Sequence, residues 1–265
     1  SLNLPAVYTV NELGINREFE YGKKFGLNMD SVDRVLGVAI GSGVSTNPLQ
    51  MAQAYSAFAN GGVMQDAHLI SRIETANGKV LASHKGSSKR VIDQAVADKM
   101  TSMMLGTFTN GTGYSADVYG YDIAGKTGTT ETSFDVNLIN DQWIIGYTPD
   151  LVISQWVGYE KTDENHYIDG STSWMAPVVF QTVAGSLLPQ TKNTGFTVKN
   201  AYALNGLDTT NPTTPQVPAH DIEDKVNYWT DRAQELLDQT QKNITEADLP
   251  NKAKSLWDSF VGLFQ

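Results

Sequence analysis

The sequence contains no cysteine and little positive charge, and each of these features excludes some classes of reaction or partner. Its 265 residues include 19 Lys and Arg against 29 Asp and Glu, which gives a formal net charge of −10. Without cysteine, neither disulfide bonds nor thiol catalysis is available, although the cellular compartment stays open. Nucleic acid is not an expected partner, because its binding requires clustered Lys and Arg.

Long apolar runs are also lacking, and the first residues show no targeting signal. No segment is apolar for long enough to cross a bilayer, and no signal peptide is recognisable. With 40% hydrophobic and 18% charged residues, the composition is that of an ordinary globular protein. The chain opens on S-L-N-L-P, without an initiator Met. We therefore expect it to be a piece of a longer polypeptide, with part of any active site upstream.

Apolar spacing predicts several helices. Residues 4–25 are predicted as helical with a break at Leu13–Gly14. The segment N-P-L-Q-M-A-Q-A-Y-S-A-F-A-N-G-G predicts a helix capped by Asn47 and ended by Asn60. A second long helix is predicted from residue 92, with one buried face that consists of Val96, Met100, Met103 and Met104. Residues 176–188 predict another helix, with Pro177 near its start.

Strands are predicted in groups between these helices. Residues 68–85 predict a hairpin around Asn77–Gly78, a dipeptide typical of a type I′ turn. Residues 142–160 predict a second hairpin, turned by Thr148-Pro149-Asp150. Antiparallel strands beside helices favour an α+β fold over alternating βαβ units.

The segment I-A-G-K-T-G-T-T places one cation and several hydroxyls on a glycine-spaced strand. We expect Lys126 on an inner strand of an antiparallel sheet, with the hydroxyls of Thr127 and Thr129 on one common face. Gly128 leaves room for a substrate backbone to lie against the strand. An ammonium, two hydroxyls and backbone N–H groups together can hold a carboxylate. On its own, however, Lys-Thr-Gly more often marks an exposed strand end with a solvated lysine.

The initial Ser1-Leu2-Asn3 gives the Lys-Thr-Gly segment a context. Ser-x-Asn alone is also typical of a helix cap. Together, Ser-x-Asn and Lys-Thr-Gly are two of the three motifs that are typical of penicillin-binding proteins. The sequence resembles the C-terminal part of the transpeptidase domain of class A, bifunctional penicillin-binding proteins, most like streptococcal ones. The resemblance extends over residues 1–190 and includes N-P-L-Q-M-A-Q-A-Y-S-A-F-A-N-G-G, G-T-F-T-N-G-T-G-Y-S-A, A-G-K-T-G-T-T, D-Q-W-I-I-G-Y-T-P-D-L and W-V-G-Y-E.

The resemblance implies a penicillin-recognising serine transpeptidase fold, in which helices cover an antiparallel sheet. It also implies residue roles. Ser1 would shuttle protons and Asn3 would bind the substrate amide. Lys126 would supply positive potential. Thr127 and Thr129 would bind the terminal carboxylate beside Gly128, and the N–H of Thr129 would form half of an oxyanion hole.

The sequence departs from this family pattern in one respect. No Ser-x-x-Lys occurs anywhere in the 265 residues, and S-S-K-R at 87–90 has the wrong spacing. We therefore expect the nucleophilic serine in an upstream part of the same protein, and this chain to be inactive by itself.

By resemblance, the expected reaction is D,D-transpeptidation of peptidoglycan. The expected partners are D-Ala-D-Ala stem peptides and β-lactam antibiotics. The expected place is the outer face of the plasma membrane, with a membrane anchor and a glycosyltransferase domain upstream. Two alternatives remain: a D,D-carboxypeptidase or β-lactamase-like hydrolase, and a non-catalytic peptidoglycan-binding module. No cofactor is expected. The four histidines lack metal-ligand spacing, so no metal site is predicted either.

The domain prediction is a transpeptidase portion over residues 1–200, a linker rich in Thr, Pro and Asn over 201–220, and a helical tail over 221–265. The tail carries an apolar face that would dock on its own domain, a partner or a membrane surface. The polar loop within residues 130–141 is either a gate over the cleft or an ordinary hairpin loop.

A Ser-x-x-Lys motif is predicted in the polypeptide that precedes Ser1. Sequencing the coding DNA upstream of the Ser1 codon checks this directly. An upstream reading frame with no such motif would contradict the assignment of this chain to a serine acyl-transfer site.

Overall fold

A computed structural model describes residues 1–170 and 175–203. Within this range the chain forms two compact units, and each is described by itself. The first contains residues 1–23 and 28–44, and the second contains residues 24–27 and 45–203. The predicted boundary at residue 200 is not tested by this division, and most of the predicted linker and all of the predicted tail lie outside the described residues.

The first unit is built from two helices and a short 3₁₀ helix. Helix α1 (Asn3–Leu13) and helix α2 (Ile15–Lys24) are separated at Gly14, whose φ of +85° favours glycine, so the predicted break is confirmed. The 3₁₀ helix Leu36–Ile40 packs against α1. Phe19 of α2 is buried, and the guanidinium of Arg34 lies 4.3 Å from the centre of its ring.

The second unit opens with the predicted capped helix. Helix α3 (Pro48–Ala59) begins after Asn47, whose side chain accepts a hydrogen bond from the Gln50 N–H at 3.0 Å. This bond satisfies one of the backbone N–H donors of the first turn that have no partner within the helix. Pro48 has no N–H, so it leaves no unsatisfied donor at the first helical position. The helix ends at Asn60, as predicted.

Two small two-stranded antiparallel sheets follow α3. Strand β1 (Val63–Gln65) pairs with β4 (Ser88–Arg90), and β2 (Arg72–Glu74) pairs with β3 (Val80–Ser83). The predicted type I′ turn is wrong, because Asn77 does not have a positive φ. Instead the Gly78 N–H bonds the Thr75 carbonyl at 2.9 Å, and Gly78 alone is left-handed at φ +82°. This is the three-residue hairpin loop with a glycine bulge.

The second long helix is divided at Leu105 into α4 (Gln94–Met104) and α5 (Gly106–Thr109). The predicted buried face is only partly correct. Met104 is buried, but Val96 and Met103 are exposed. The helix buries small and polar side chains in their place, namely Ala97, Asp98, Thr101 and Ser102. These hydroxyls have partners: Ser102 Oγ, for example, donates to the Lys199 carbonyl at 2.7 Å.

The main sheet is antiparallel and contains four strands among the described residues. Its order is β5 (Ala124–Glu131), β6 (Leu138–Tyr147) and β7 (Val152–Gly158), and β8 (Ile168–Asp169) pairs with the start of β6. The predicted hairpin over β6 and β7 is confirmed. Thr148 and Leu151 close its turn through a backbone hydrogen bond of 2.9 Å.

Helices cover both faces of the sheet. Helix α6 (Met175–Leu187) packs on the face that carries Ile144, where Phe108 and Phe180 form the centre of a buried cluster. Helices α3 and α4 pack on the opposite face around Tyr147. The expected α+β architecture, a sheet covered by helices, is therefore observed.

A buried hydrogen bond joins the sheet to α4 and generates a prediction. Tyr147 Oη lies 2.8 Å from Thr101 Oγ1. Burial raises the pKa of Tyr147, and this hydrogen bond opposes the rise. The Tyr147→Phe variant leaves the Thr101 hydroxyl without this partner, so the free energy of unfolding should fall by about 1–3 kcal/mol in urea denaturation.

The double variant Tyr147→Phe/Thr101→Val removes both polar partners. Its loss should be smaller than the sum of the two single losses, because no buried hydroxyl is stranded. Additive losses would show that the bond contributes little.

Candidate functional site

The Lys-Thr-Gly segment forms the middle of β5, which is an outer strand of the described sheet. The predicted inner position is therefore wrong. Strand β5 pairs with β6, and the sheet continues from β6 to β7, so no described strand lies on the other side of β5. An outer strand leaves backbone donors and acceptors available for an extended peptide.

The side chains of this strand divide between its two faces. Thr127 and Thr129 pair with Ile144 and Gln142, so both lie on the face that α6 covers, as the period of two predicts. Lys126 pairs with Ile145 and lies on the opposite face. The cation and the two hydroxyls therefore lie on opposite faces of the strand.

The ammonium of Lys126 bends towards the strand backbone. Its Nζ donates a hydrogen bond to the Thr127 carbonyl at 3.0 Å. Lys126 is half-buried, and this burial lowers its pKa because the charged form loses hydration. A partly desolvated cation exerts a stronger field on a nearby anion than a fully solvated one.

Thr127 is held by Thr112, a residue for which the sequence predicts no role. The Thr127 hydroxyl forms a hydrogen bond with that of Thr112, in the turn Gly111-Thr112-Gly113. A Cβ at Gly111 would lie 2.8 Å from the Thr107 Cα, so the turn packs tightly on α5. The sequence signal for Thr112 was available, because the resemblance included this Gly-Thr-Gly turn.

Two glycines in β5 have different reasons for being there. A Cβ at Gly125 would lie 2.0 Å from the Ile145 carbonyl oxygen, so this position accepts glycine alone. A Cβ at Gly128 would lie 3.3 Å from the Trp143 Cβ, so Trp143 would have to move by a few tenths of an ångström. Packing therefore requires glycine strictly at 125, whereas at 128 a Cβ would meet no other atom within 4 Å.

A hydrogen-bonded chain fixes the end of β5 across the sheet. Thr130 Oγ1 donates to Asp141 Oδ2 at 2.9 Å, and Trp156 Nε1 donates to Asp141 Oδ1 at 2.7 Å. These residues lie on three neighbouring strands. The strand end that carries Thr129 is thus tied to both β6 and β7.

Ser1 and Asn3 belong to the first unit. Ser1 is exposed and precedes α1, and Asn3 is the first residue of that helix. The residue at the N-cap position is Leu2, whose side chain makes no capping bond, so Ser-x-Asn is not explained by a serine cap. The roles predicted for Ser1, Asn3, Lys126, Thr127, Gly128 and Thr129 remain predictions.

A cavity of about 560 Å³ lies before β5, lined by residues that include Asp117, Asp122, Tyr119 and Ile123. None of residues 126–129 lines it, so the Lys-Thr-Gly segment presents an open strand rather than this cavity. Over residues 1–170 and 175–203, no His, Cys, Asp and Glu side chains converge in a group of three that could hold a metal ion. No helix in the described part of the chain has the length and apolarity needed to span a bilayer.

The half-buried cation predicts a particular pH dependence of stability. Because the folded-state pKa of Lys126 lies below its ordinary value of 10.5, the unfolded chain binds more protons in the interval between the two values. The contribution of Lys126 to the free energy of unfolding should therefore rise as the pH increases through this interval. Lys126→Met should be at least as stable as the parent at pH 7, and the difference should shrink towards pH 10.5 in chemical denaturation.

The Lys192→Met variant is the control, because it removes a positive charge from an exposed position. Its free energy of unfolding should depend on pH in nearly the same way as that of the parent. A Lys126→Met variant that is less stable at pH 7 would show that the ammonium is a net stabilising group, contrary to the cost of its burial.

Known proteins resemble this chain over most of its length. The family described as the penicillin binding protein transpeptidase domain matches residues 12–183. Penicillin-binding protein 2a of Streptococcus pneumoniae serotype 2 is 59% identical over 268 residues, which cover 100% of this chain and 36% of that protein. Penicillin-binding protein 1F of Bacillus subtilis is 38% identical, over 66% of this chain and 24% of that protein.

A solved structure shows the same fold. The PonA1 protein from Mycobacterium tuberculosis, in complex with penicillin V, superposes with a TM-score of 0.51 at 31% identity. The superposition covers 63% of this chain and 44% of that one. The chain described here thus spans about a third of the length of its streptococcal relative. The resemblance to class A proteins, including streptococcal ones, is confirmed: the chain belongs to the penicillin-binding protein transpeptidase family.

Proposed function

We propose that this chain is the substrate-holding part of a peptidoglycan D,D-transpeptidase that acts on D-alanyl-D-alanine stem peptides by serine acyl transfer. The observation that carries the proposal is the outer strand β5, which presents Lys126, Thr127, Gly128 and Thr129 along an edge that no other described strand covers. Family membership supports the reaction class.

The donor peptide would lie along β5, where the missing side chain at Gly128 lets its backbone approach. Its terminal carboxylate would accept hydrogen bonds from the hydroxyls of Thr127 and Thr129, in the positive potential of Lys126. The bond between Thr127 and Thr112 orients the first of these hydroxyls before substrate arrives. Such preorganisation lowers the cost of binding.

Acyl transfer would then proceed in two steps. A serine oxygen attacks the penultimate carbonyl carbon, the peptide bond breaks, and the serine proton passes to the departing D-alanine amine. The N–H of Thr129 would stabilise the oxyanion, a contribution typically worth about 10²–10³-fold in kcat. In the second step, an acceptor amine attacks the ester carbon, the bond to the serine oxygen breaks, and a proton from the amine passes to that oxygen.

The serine itself is proposed to come from a segment that precedes Ser1, since no Ser-x-x-Lys is found in these 265 residues. The roles proposed for Ser1 and Asn3, proton shuttle and amide ligand, are those that the family resemblance implies. On this proposal the isolated chain is inactive. The full protein would act at the outer face of the plasma membrane and would be acylated by β-lactams, in keeping with the penicillin V complex of PonA1.

Labelling the full-length protein with fluorescent penicillin tests the proposal. The parent should be labelled covalently. Lys126→Met should be labelled at least about 100-fold more slowly, because the electrostatic and orienting contribution of the cation is lost. Gly128→Ala should also be labelled slowly while it keeps a near-parental melting temperature.

The matched control is Gly125→Ala, in which the new Cβ meets the backbone of β6. This variant should lose stability as well as labelling, which separates a folding defect from a binding defect. A parent that is never labelled would support a non-catalytic peptidoglycan-binding module. Turnover of peptide donor that does not depend on an added amine would support the hydrolase alternative.

A further inference from the structure

Two loops at the far end of β5 form an exposed aromatic surface. Residues 132–137 connect β5 to β6, and residues 159–167 connect β7 to β8. We call their ring-bearing residues, Phe134, Tyr159, His166 and Tyr167, the aromatic rim. The rings of Phe134 and Tyr167 meet edge to face at 6.5 Å, and those of Tyr159 and His166 at 5.4 Å. Phe134 and Tyr159 each remain 45% exposed.

The first loop of the rim is ordered by its own hydrogen bonds. Thr132 is buried, its Oγ1 donates to the Asp135 carbonyl at 2.7 Å, and it accepts from the Asp135 N–H at 3.1 Å. The Asn137 N–H bonds the Asp135 carboxylate at 2.9 Å. The loop therefore holds Phe134 at the surface through its own hydrogen bonds.

The rim is close to the proposed carboxylate site. Thr132 follows Thr129 by three residues, which at the rise of a strand corresponds to about 10 Å. Pairing of β8 with β6, at Ile168 opposite Ile139, brings the second loop beside the first. A peptide that follows β5 beyond Thr129 would reach the first loop of the rim, and the ring of Phe134 in that loop contacts Tyr167 of the second.

The charge around the rim is strongly negative. Residues 131–137 and 159–169 contain six Asp and Glu against a single Lys, a formal charge of −5 out of −10 for the whole chain. These are Glu131, Asp135, Glu160, Asp163, Glu164, Asp169 and Lys161. Hydrogen bonds from the Asn165 N–H and then from His166 lower the pKa of Asp163, so this carboxylate stays ionised.

From the exposed rings and this charge we infer that the aromatic rim binds the ammonium-bearing acceptor peptide of the transpeptidation reaction. Aromatic faces and surrounding carboxylates both attract an ammonium group. An anionic or neutral peptide would be attracted by the rings alone. The inference rests on the proposed function, because it names the second substrate of the same site.

The inference also separates the two substrates by charge. The donor presents a carboxylate to Lys126, and the acceptor presents an ammonium to the rim, so each end of the strand disfavours the wrong substrate. The rim binds the acceptor in its protonated form and raises its local concentration. Proton loss before attack belongs to the catalytic centre, and the rim takes no part in the covalent step.

The test compares acceptor use and acylation in the full-length protein. Glu160→Gln/Glu164→Gln removes two exposed charges, and Phe134→Ala removes a ring. With a thioester donor and a lysine-containing peptide as acceptor, both variants should raise the acceptor KM by roughly 5- to 10-fold with kcat nearly unchanged. Labelling by fluorescent penicillin, which involves no acceptor, should stay at the parental rate.

The matched control is Glu74→Gln/Asp122→Asn, which removes the same charge from exposed positions outside the two loops. It should leave the acceptor KM at the parental value. An unchanged acceptor KM in both rim variants would overturn the inference, and so would an equal rise in the control.

Equilibrium binding of the same lysine-containing peptide, followed by fluorescence anisotropy, tests the rim without catalysis. Binding should weaken in the rim variants and at high salt, and acetylation of the peptide amine should abolish it. Such binding in a protein that penicillin never acylates would contradict the proposed function alone. Normal acylation with no rim-dependent binding would contradict the inference alone.

Discussion

The pairing of β5 with β6 is the constraint on which the rest of the structure depends. Gly125 and Gly146 lie opposite each other in this ladder. A Cβ on the first would strike the backbone of β6, and a Cβ on the second would come within 2.4 Å of the Phe180 ring. Two adjacent positions without side chains thus let the strands pair closely and let α6 pack against them. Lys126 to Thr129 follow directly from this fixed point, so their direction is set by the pairing.

The same pairing relates the stability of β5 to its proposed role in binding. Along β5 the residues change from buried at Ala124 and Gly125 to exposed at Thr129 and beyond. The buried end carries the packing, and the exposed end carries the groups that we propose to face a ligand. Thr112 and Asp141 hold this second end from two directions, the first through the Thr127 hydroxyl and the second through Thr130. Rigid support around an exposed strand is what a binding site for an extended peptide requires.

Much of the fold could be predicted from local sequence signals. Asn47 and Pro48 marked the start of α3, and the strand turn at residues 148–150 was evident from its proline and aspartate. The outer position of β5 was missed, because strand order depends on long-range pairing that no local pattern records. The buried face of α4 was misjudged because burial there favours small and hydrogen-bonded side chains, such as Thr101, over the methionines that hydrophobicity alone selects. The hairpin at Gly78 was found, but Asn77 was assigned a left-handed conformation that only Gly78 adopts.

The candidate site shows the same division between local and non-local information. Lys126, Thr127, Gly128 and Thr129 were found from a contiguous motif and the family resemblance. Thr112 received no role, since its contact with Thr127 joins a helix-ending turn to a strand. The aromatic rim could not be assembled from sequence, because Phe134 and Tyr167 are brought together only when β8 pairs with β6.

The most direct test of the account is a crystal structure of the full-length protein acylated by penicillin. The account predicts that the penicillin carboxylate lies within hydrogen-bond distance of the hydroxyls of Thr127 and Thr129, with its acyl oxygen at the Thr129 N–H. An acyl-enzyme whose carboxylate contacts neither threonine, with Lys126 turned to bulk solvent, would contradict it.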